Sequence, residues 1–104
     1  MLRVITTRRA DQDIDSAVGY YLKDGAPAAA MGFVDALQDA MSLLREHPSI
    51  GSPRFAIETG IPELRGLALK RFPYVVLYTD DSDVLRVHRV LHMSRDIPAE
   101  LSEP

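Results

Sequence analysis

The spacing of apolar residues changes once along this chain, and the change falls within residues 47–60. Before that stretch, apolar residues recur every three to four positions, as on one side of a helix; after it they alternate, as in a strand. The stretch itself, HPSIGSPRFAIETG, contains two prolines and two glycines and is expected to be a loop. A chain that places its helices first and most of its strands last is predicted to be an α+β protein.

Two amphipathic helices are predicted, over residues 8–24 and 28–46. Their apolar stripes consist of Ala10, Ile14, Ala17, Val18 and Tyr21 in the first helix and of Phe33, Leu37, Ala40 and Leu44 in the second. Gly25 is suited to ending the first helix, and Pro27 is suited to the first turn of the second. Because only residues 24–27 join them, the helices are expected to form an antiparallel hairpin.

Four strands are predicted, at residues 2–5, 64–69, 74–78 and 84–92, and an acidic turn at 80–83 joins the last two. The element order is therefore β-α-α-β-β-β, with the helical hairpin packed on one face of a mainly antiparallel sheet. The chain is expected to form a single domain over residues 1–98, followed by a flexible tail over 99–104.

Composition limits the classes of function. The 104 residues carry a formal net charge of −3, which argues against direct nucleic-acid binding by bulk electrostatics. There is no cysteine, and no apolar run approaches the ~18 residues of a membrane span, so a cytoplasmic, non-membrane protein is expected. The charge is uneven, however, because residues 64–79 and 84–95 contain no Asp or Glu and form a locally basic region.

The last predicted strand carries a cluster of cations and imidazoles: Arg86, His88, Arg89, His92 and Arg95. Strict alternation places Arg86, His88 and His92 on one face of that strand. It places Arg89 on the other face, among Leu85, Val87 and Leu91. A cation among apolar neighbours is usually paired, so we expect an ion pair between Arg89 and Asp13. Capture of a partner's carboxylate by Arg89 is the alternative.

His92 has two interpretations. Imidazole titrates near neutral pH, so His92 is a candidate acid–base group. The favoured alternative is a structural one, in which His92 bonds to Asp96 or to a carbonyl and fixes the end of the strand. His88 and His92 lie about 13 Å apart on a strand, too far to share one ion, and no metal or cofactor is expected.

An ordered set of short motifs resembles the ParE branch of the RelE/ParE toxin superfamily over nearly the whole chain. These motifs are Ala10-x-x-Asp13-Ile14, Tyr20-Tyr21, Ala29-x-x-x-Phe33, Leu44, Pro48-x-x-Gly51, Arg65-x-Leu67, Phe72-Pro73-Tyr74, residues 75–78, Arg89-Val90-Leu91-His92 and Arg95-Asp96. The resemblance implies a toxin of a bacterial type II toxin–antitoxin module. ParE-like members resemble inhibitors of DNA gyrase that a ParD-like antitoxin neutralises in a hetero-oligomeric complex.

Two other functions stay open under this resemblance. RelE-like members resemble ribosome-dependent mRNA endonucleases, and in that case Arg65, Arg89 and His92 are the candidate catalytic residues. The third possibility is a non-toxic relic that only binds an antitoxin. The gyrase-directed interpretation is favoured because the chain is acidic overall and its last strand ends in His92 rather than in a tyrosine.

Under the favoured interpretation no residue is catalytic. Antitoxin binding is assigned to Tyr20, Arg65, Arg71 and Tyr74, and target inhibition to Arg86, Arg89, His92 and Arg95. The antitoxin is expected to fold onto the toxin, placing a helix along the helical hairpin and acidic or strand residues near the basic sheet.

Overall fold

The computed structural model describes residues 2–102. In chain order the elements are β1 (Arg3–Thr6), α1 (Arg8–Lys23), α2 (Pro27–Glu46), α3 (Arg54–Thr59), β2 (Arg65–Ala68), β3 (Tyr74–Asp80), β4 (Val84–His92) and α4 (Ile97–Ser102). The Thr7 hydroxyl caps α1 by accepting the N–H of Ala10 at 3.1 Å. After α1, Gly25 takes a φ of 71°, which glycine adopts without strain.

The four strands form one sheet in the order β1-β4-β3-β2. β3 pairs antiparallel with both β2 and β4, whereas β1 pairs with β4 in parallel. The predicted α+β class and the order of the predicted elements are confirmed. Because the chain passes through the whole helical hairpin before it returns to the sheet, β1 lies beside the last strand rather than beside β2.

Apolar clusters cover both faces of the sheet. On the hairpin face, α1 and α2 pack on Leu69, Tyr74, Val76, Tyr78, Leu85, Val87 and Val90. On the opposite face, Phe55 of α3 and Ile97 of α4 pack with Leu64, Val75, Leu77 and Leu91. The functional surfaces of this molecule are therefore the margins of the sheet, where helices and strand edges meet.

Two short helices differ from the sequence-based predictions. Residues 47–60 contain α3, whose Phe55 packs so closely under Gly66 that a β-carbon at Gly66 would collide with its ring. Residues 99–102, where the flexible tail was predicted to begin, lie in α4 instead, while residues 103 and 104 of that tail lie outside the described residues. Six-residue helices are too short to show a helical period, so the pattern that revealed α1 and α2 gave no signal here.

Within residues 2–102, no helix is both long and apolar enough to cross a membrane.

Candidate functional site: the edge of the last strand

A β-bulge in β4 decides where the polar side chains of the last strand point. Tyr78 pairs with Val87 and Leu77 pairs with Arg89, so His88 is an extra residue on β4 with no counterpart on β3. An extra residue of this kind shifts the alternation of side chains by one position along the rest of the strand.

The bulge places Arg89 on a different face from the predicted one. Val87 and Val90 both pack in the hairpin-side cluster although they are three positions apart, and Leu91 packs in the opposite cluster. Arg89 pairs with a β3 residue of that opposite cluster and therefore shares the face of Leu91. The prediction that Arg89 shares a face with Leu85 and Val87 is wrong, because strict alternation does not continue through the bulge.

His92 lies on the hairpin face, where its ring meets the ring of Tyr74 edge-on with 5.1 Å between centroids. Arg86 and His88 lie before the shift in alternation and point to the opposite face, where His88 lines a small cavity together with Arg89. The predicted common face of Arg86, His88 and His92 is therefore wrong for His92.

Arg89 is buried, with 8% of its surface exposed, and it is held by a carboxylate of α1. Its Nε and Nη2 atoms donate to the two carboxylate oxygens of Asp13 at 2.7 and 2.9 Å. Asp13 also accepts the backbone N–H of Val90 at 3.0 Å. From α4, Glu100 approaches Nη2 of Arg89 at 3.8 Å. The predicted ion pair between Arg89 and Asp13 is confirmed, and this cation is matched by a carboxylate of its own chain.

His88 belongs to a second polar group, at the other end of β4. Its Nε2 lies 2.8 Å from the Thr79 hydroxyl, which donates to Asp81 at 2.8 Å, so Nε2–H is the donor to Thr79. Arg86 donates to the same Asp81 at 2.8 Å. Burial lowers the pKa of His88, and the hydrogen bond from Arg86 lowers the pKa of Asp81.

A cleft of about 650 Å³, here called the α1/β4 cleft, opens between α1 and the end of β4. Tyr20, Tyr74 and His92 form its aromatic wall. Its far end holds Arg95 and Glu100, whose side chains form an ion pair at 3.1 Å. Burial raises the pKa of Tyr74, so its phenol stays protonated at neutral pH. The cleft therefore offers aromatic rings and ion pairs that are already balanced in charge.

The partner of His92 differs from the predicted one. Its Nδ1 atom accepts the backbone N–H of Ser94 at 3.1 Å and lies 2.7 Å from the Ser94 hydroxyl. The prediction of a bond from His92 to Asp96 or to a carbonyl is wrong, because the tight turn after β4 brings Ser94 back onto the ring first. With Nδ1 accepting a backbone N–H, the remaining ring nitrogen, Nε2, carries the proton.

Two cations assigned to antitoxin binding lie away from this cleft. The guanidinium of Arg65 donates to the carbonyl oxygens of Ser49 and Gly51 at 3.1 and 2.8 Å, and so holds the loop that follows α2. Arg71 lies in the turn between β2 and β3 with a φ of 69°. Of the predicted site residues, the α1/β4 cleft brings together Tyr20, Tyr74, Arg89, His92 and Arg95. It leaves out Arg65, Arg71 and Arg86.

The three residues proposed for the endonuclease alternative do not converge. Arg65 lies on β2 opposite Tyr78 of β3, whereas His92 lies on β4 opposite Tyr74 of β3. The two strand spacings between β2 and β4 and the four-residue offset along β3 together correspond to well over 10 Å. Arg89 points to the opposite face, where Asp13 and Glu100 hold it. No phosphate could contact all three side chains in this arrangement.

A second cleft, which sequence reasoning missed, lies between α2 and β2 and has a volume of about 630 Å³. Asp35 and Asp39 of α2 line one side, and Lys70 and Arg71 line the other. Neither acid was singled out from the sequence. Their spacing of four residues places both acids on one side of α2, close to Gly32, and this pattern could have indicated the cleft.

No group of three His, Cys, Asp or Glu side chains suited to a metal ion occurs in the part of the chain that the structure describes.

Taken together, the helical hairpin, the mixed sheet and the carboxylate-paired last strand define a small α+β fold. A solved structure described as "Chromosomal ParDE TA system from P. aeruginosa" has this fold, with a TM-score of 0.72 and 22% sequence identity. The match covers 88% of this chain and 96% of that chain. A comparison with curated proteins finds no match. The sequence profile of the family described as "ParE toxin of type II toxin-antitoxin system, parDE" matches residues 4–97. The chain belongs to the ParE toxin family.

Proposed function

We propose that this protein arrests growth by inhibiting DNA gyrase in the cytoplasm and that a ParD-like antitoxin neutralises it. The observation that carries the proposal is the bidentate bond between Arg89 and Asp13. An enzyme that cleaves a phosphodiester needs cations free to stabilise the charge that develops on the phosphate. The most buried cation of this strand is instead matched by a carboxylate, which favours a toxin that works by binding another protein.

The exposed cations fit a binding surface better than a catalytic centre. The side chains of Arg86 and Arg95 are 41% and 63% exposed, and each pairs with an acid at the surface. Pairs of this kind are weak and exchange partners readily, so both guanidinium groups are available to acidic groups of a target. In this proposal Arg86 and Arg95 contact gyrase directly, His92 contributes from the wall of the α1/β4 cleft, and Arg89 acts by holding the strand in place.

The antitoxin surface follows from the same positions. Tyr20 is 63% exposed on α1 and stands beside Tyr74 at the α1/β4 cleft. Arg65 and Arg71 lie toward the other edge of the sheet. Arg71 also lines the second cleft, between α2 and β2. An antitoxin that reaches both sets of residues must wrap around the helical hairpin, as a segment that folds on binding is able to do.

The test compares purified toxin in a gyrase supercoiling assay and in a transcript-cleavage map made on translating ribosomes. We expect inhibited supercoiling, intact mRNA, and full recovery of supercoiling when the antitoxin is added first. Cleavage of mRNA at codon-dependent positions would select the endonuclease instead. Absence of any growth defect on expression, with antitoxin binding retained, would select the antitoxin-binding relic.

A further inference from the structure

Ser94 turns its hydroxyl back onto the imidazole of His92, and both residues line the α1/β4 cleft. The Nδ1 atom of His92 accepts the backbone N–H of Ser94 at 3.1 Å, so this nitrogen carries no proton. The Ser94 hydroxyl lies 2.7 Å from the same atom and therefore donates its proton to it. A serine whose proton is already bonded to an imidazole nitrogen has the arrangement that activates the hydroxyl as a nucleophile.

The fold holds this pair in place. Tyr74 packs edge-on against the imidazole, and the N–H of Ser94 fixes the position of Nδ1. The N–H of Arg95 closes the turn that carries Ser94 by donating to the carbonyl of His92 at 3.0 Å. Ser94 itself is exposed, so a molecule that enters the cleft can reach a nucleophile whose base is already positioned.

A second pair of hydroxyl and imidazole, at the other end of β4, has the opposite polarity. His88 donates its proton to the hydroxyl of Thr79, which donates in turn to Asp81. Thr79 is also buried, so its hydroxyl is neither activated nor accessible. Among the serines of residues 2–102, only Ser94 is hydrogen-bonded to an imidazole.

Arg95 can stabilise the charge that such a reaction develops. Attack on a carbonyl group turns its oxygen into an oxyanion, which needs hydrogen-bond donors. Arg95 lines the same cleft and binds Glu100 through Nη1 at 3.1 Å. Because a guanidinium has five N–H donors, the pair with Glu100 leaves donors for a second oxygen.

The lining of the cleft favours one class of group for transfer to Ser94. Tyr20 and Tyr74 offer ring surfaces to an apolar substituent. Arg89 and Arg95 each have a carboxylate partner, so the cleft carries little net charge to attract an anionic phosphoryl donor. An uncharged acyl group is the better fit.

We infer that Ser94 accepts acyl groups from activated esters or thioesters, with His92 as the general base. The Oγ atom of Ser94 attacks the acyl carbon, and the bond from that carbon to the oxygen or sulfur of the leaving group breaks. The proton of Oγ passes through Nδ1 of His92 to the leaving oxygen or sulfur. The product is an ester at Ser94 inside the α1/β4 cleft, and the reaction does not depend on gyrase inhibition.

The test incubates the purified protein with p-nitrophenyl acetate, quenches samples in acid at early times and locates the acetyl group by peptide mass spectrometry. Ser94 should be acetylated at least about 100-fold faster than Ser82, an exposed serine whose turn contains no imidazole. Slow acetylation of the amines of Lys23 and Lys70 gives an internal standard. Acetylation of Ser94 no faster than that of Ser82 overturns the inference, and this comparison needs no variant.

Two histidine variants show whether the imidazole acts as the base. His92→Gln should slow the acetylation of Ser94 by about 100-fold or more, while Lys23 and Lys70 react as before. His47→Gln, at an exposed position after α2, should leave the rate at Ser94 unchanged. Equal rates at Ser94 in folded His92→Gln and in the wild type would refute the role of His92, and circular dichroism checks the fold of each variant.

Discussion

Asp13 serves two groups with one carboxylate. It neutralises Arg89, and it also takes the N–H of Val90 that a neighbouring strand would otherwise bind. Replacing a buried ion pair by apolar residues often costs little, but removing one partner leaves a buried charge without compensation. A single substitution of Asp13 removes only one partner of the pair, so it is expected to lower the stability of the protein substantially.

Asp13→Ala should lower the free energy of unfolding by about 3–5 kcal/mol, since it removes the bidentate carboxylate partner of the buried Arg89 guanidinium and the acceptor of the Val90 N–H. The measurement is urea unfolding followed by circular dichroism. Asp15→Ala, an exposed position on the same helix, is the matched control and should change stability by less than about 0.5 kcal/mol. Similar losses in both variants would contradict the structural role of Asp13.

His88 should make stability depend on pH. Burial lowers its pKa in the folded state, so the unfolded chain binds the proton more readily. The contribution is complete above the unfolded pKa of about 6.5 and is lost as the pH falls below that value toward the folded pKa. The charged groups that face it are Asp81 and Arg86 on its own hairpin, and Arg9, Arg89 and Glu100 around the cavity.

Thermal unfolding at pH 7.5 and pH 5.5 checks this sign. His88→Gln keeps a donor for Thr79. Its melting temperature should fall less from pH 7.5 to pH 5.5 than that of the wild type. His47→Gln, at an exposed position after α2, should behave like the wild type. An unchanged pH dependence in His88→Gln would show that the imidazole does not contribute.

Among the elements, the β3–β4 hairpin is closed by a strained turn. Ser82 has a φ of 73°, and Asp81 donates its N–H to the carbonyl of Val84 at 2.9 Å across the turn. A non-glycine residue in the left-handed region costs on the order of 1 kcal/mol.

Ser82→Gly should therefore stabilise the protein by about 0.5 kcal/mol or more, because the relief of strain exceeds the entropy that glycine adds to the unfolded chain. Ser42→Gly, on the exposed face of α2, should change stability in the opposite direction by about 0.5–1 kcal/mol. Chemical unfolding of both variants measures the two changes in stability. A loss of stability in Ser82→Gly would show that Ser82 is not strained in the folded protein.

At the level of elements, the long periodic segments were predictable and the local irregularities were not. α1 and α2 end within a residue of their predicted limits, because Gly25 and Pro27 mark the boundary chemically. The bulge at His88 has no signature, since valine, histidine and arginine occur on either face of a strand. The ion pair of Arg89 was still predicted correctly, because Asp13 stands at the sheet edge and reaches the guanidinium on the other face.

For the whole molecule, we expect growth inhibition to depend on a spread of charge rather than on one side chain. His92→Ala should leave substantial growth inhibition, whereas Arg86→Glu with Arg95→Glu, or truncation before Ala99, should reduce it much more. Losing a catalytic acid or base typically costs 10²–10⁴-fold or more in rate, so complete loss of toxicity in folded His92→Ala would point to catalysis.

The control for this comparison must match the change in net charge. Arg8→Glu with Lys23→Glu reverses two exposed cations on α1 and should leave growth inhibition close to that of the wild type. If it were as damaging as the change at Arg86 and Arg95, the effect would reflect the overall charge of the protein and not its last strand. Circular dichroism of each variant confirms that it folds.

The limited room at the edge of β4 also bears on how the protein behaves at high concentration. Exposed strand edges are where sheets of separate molecules join into open-ended aggregates. Asp13 already binds the N–H of Val90, and the carbonyl of His92 already accepts the N–H of Arg95, so this edge offers a growing sheet few free backbone groups. Without a bound partner, the protein would thus stay dispersed instead of polymerising through this strand.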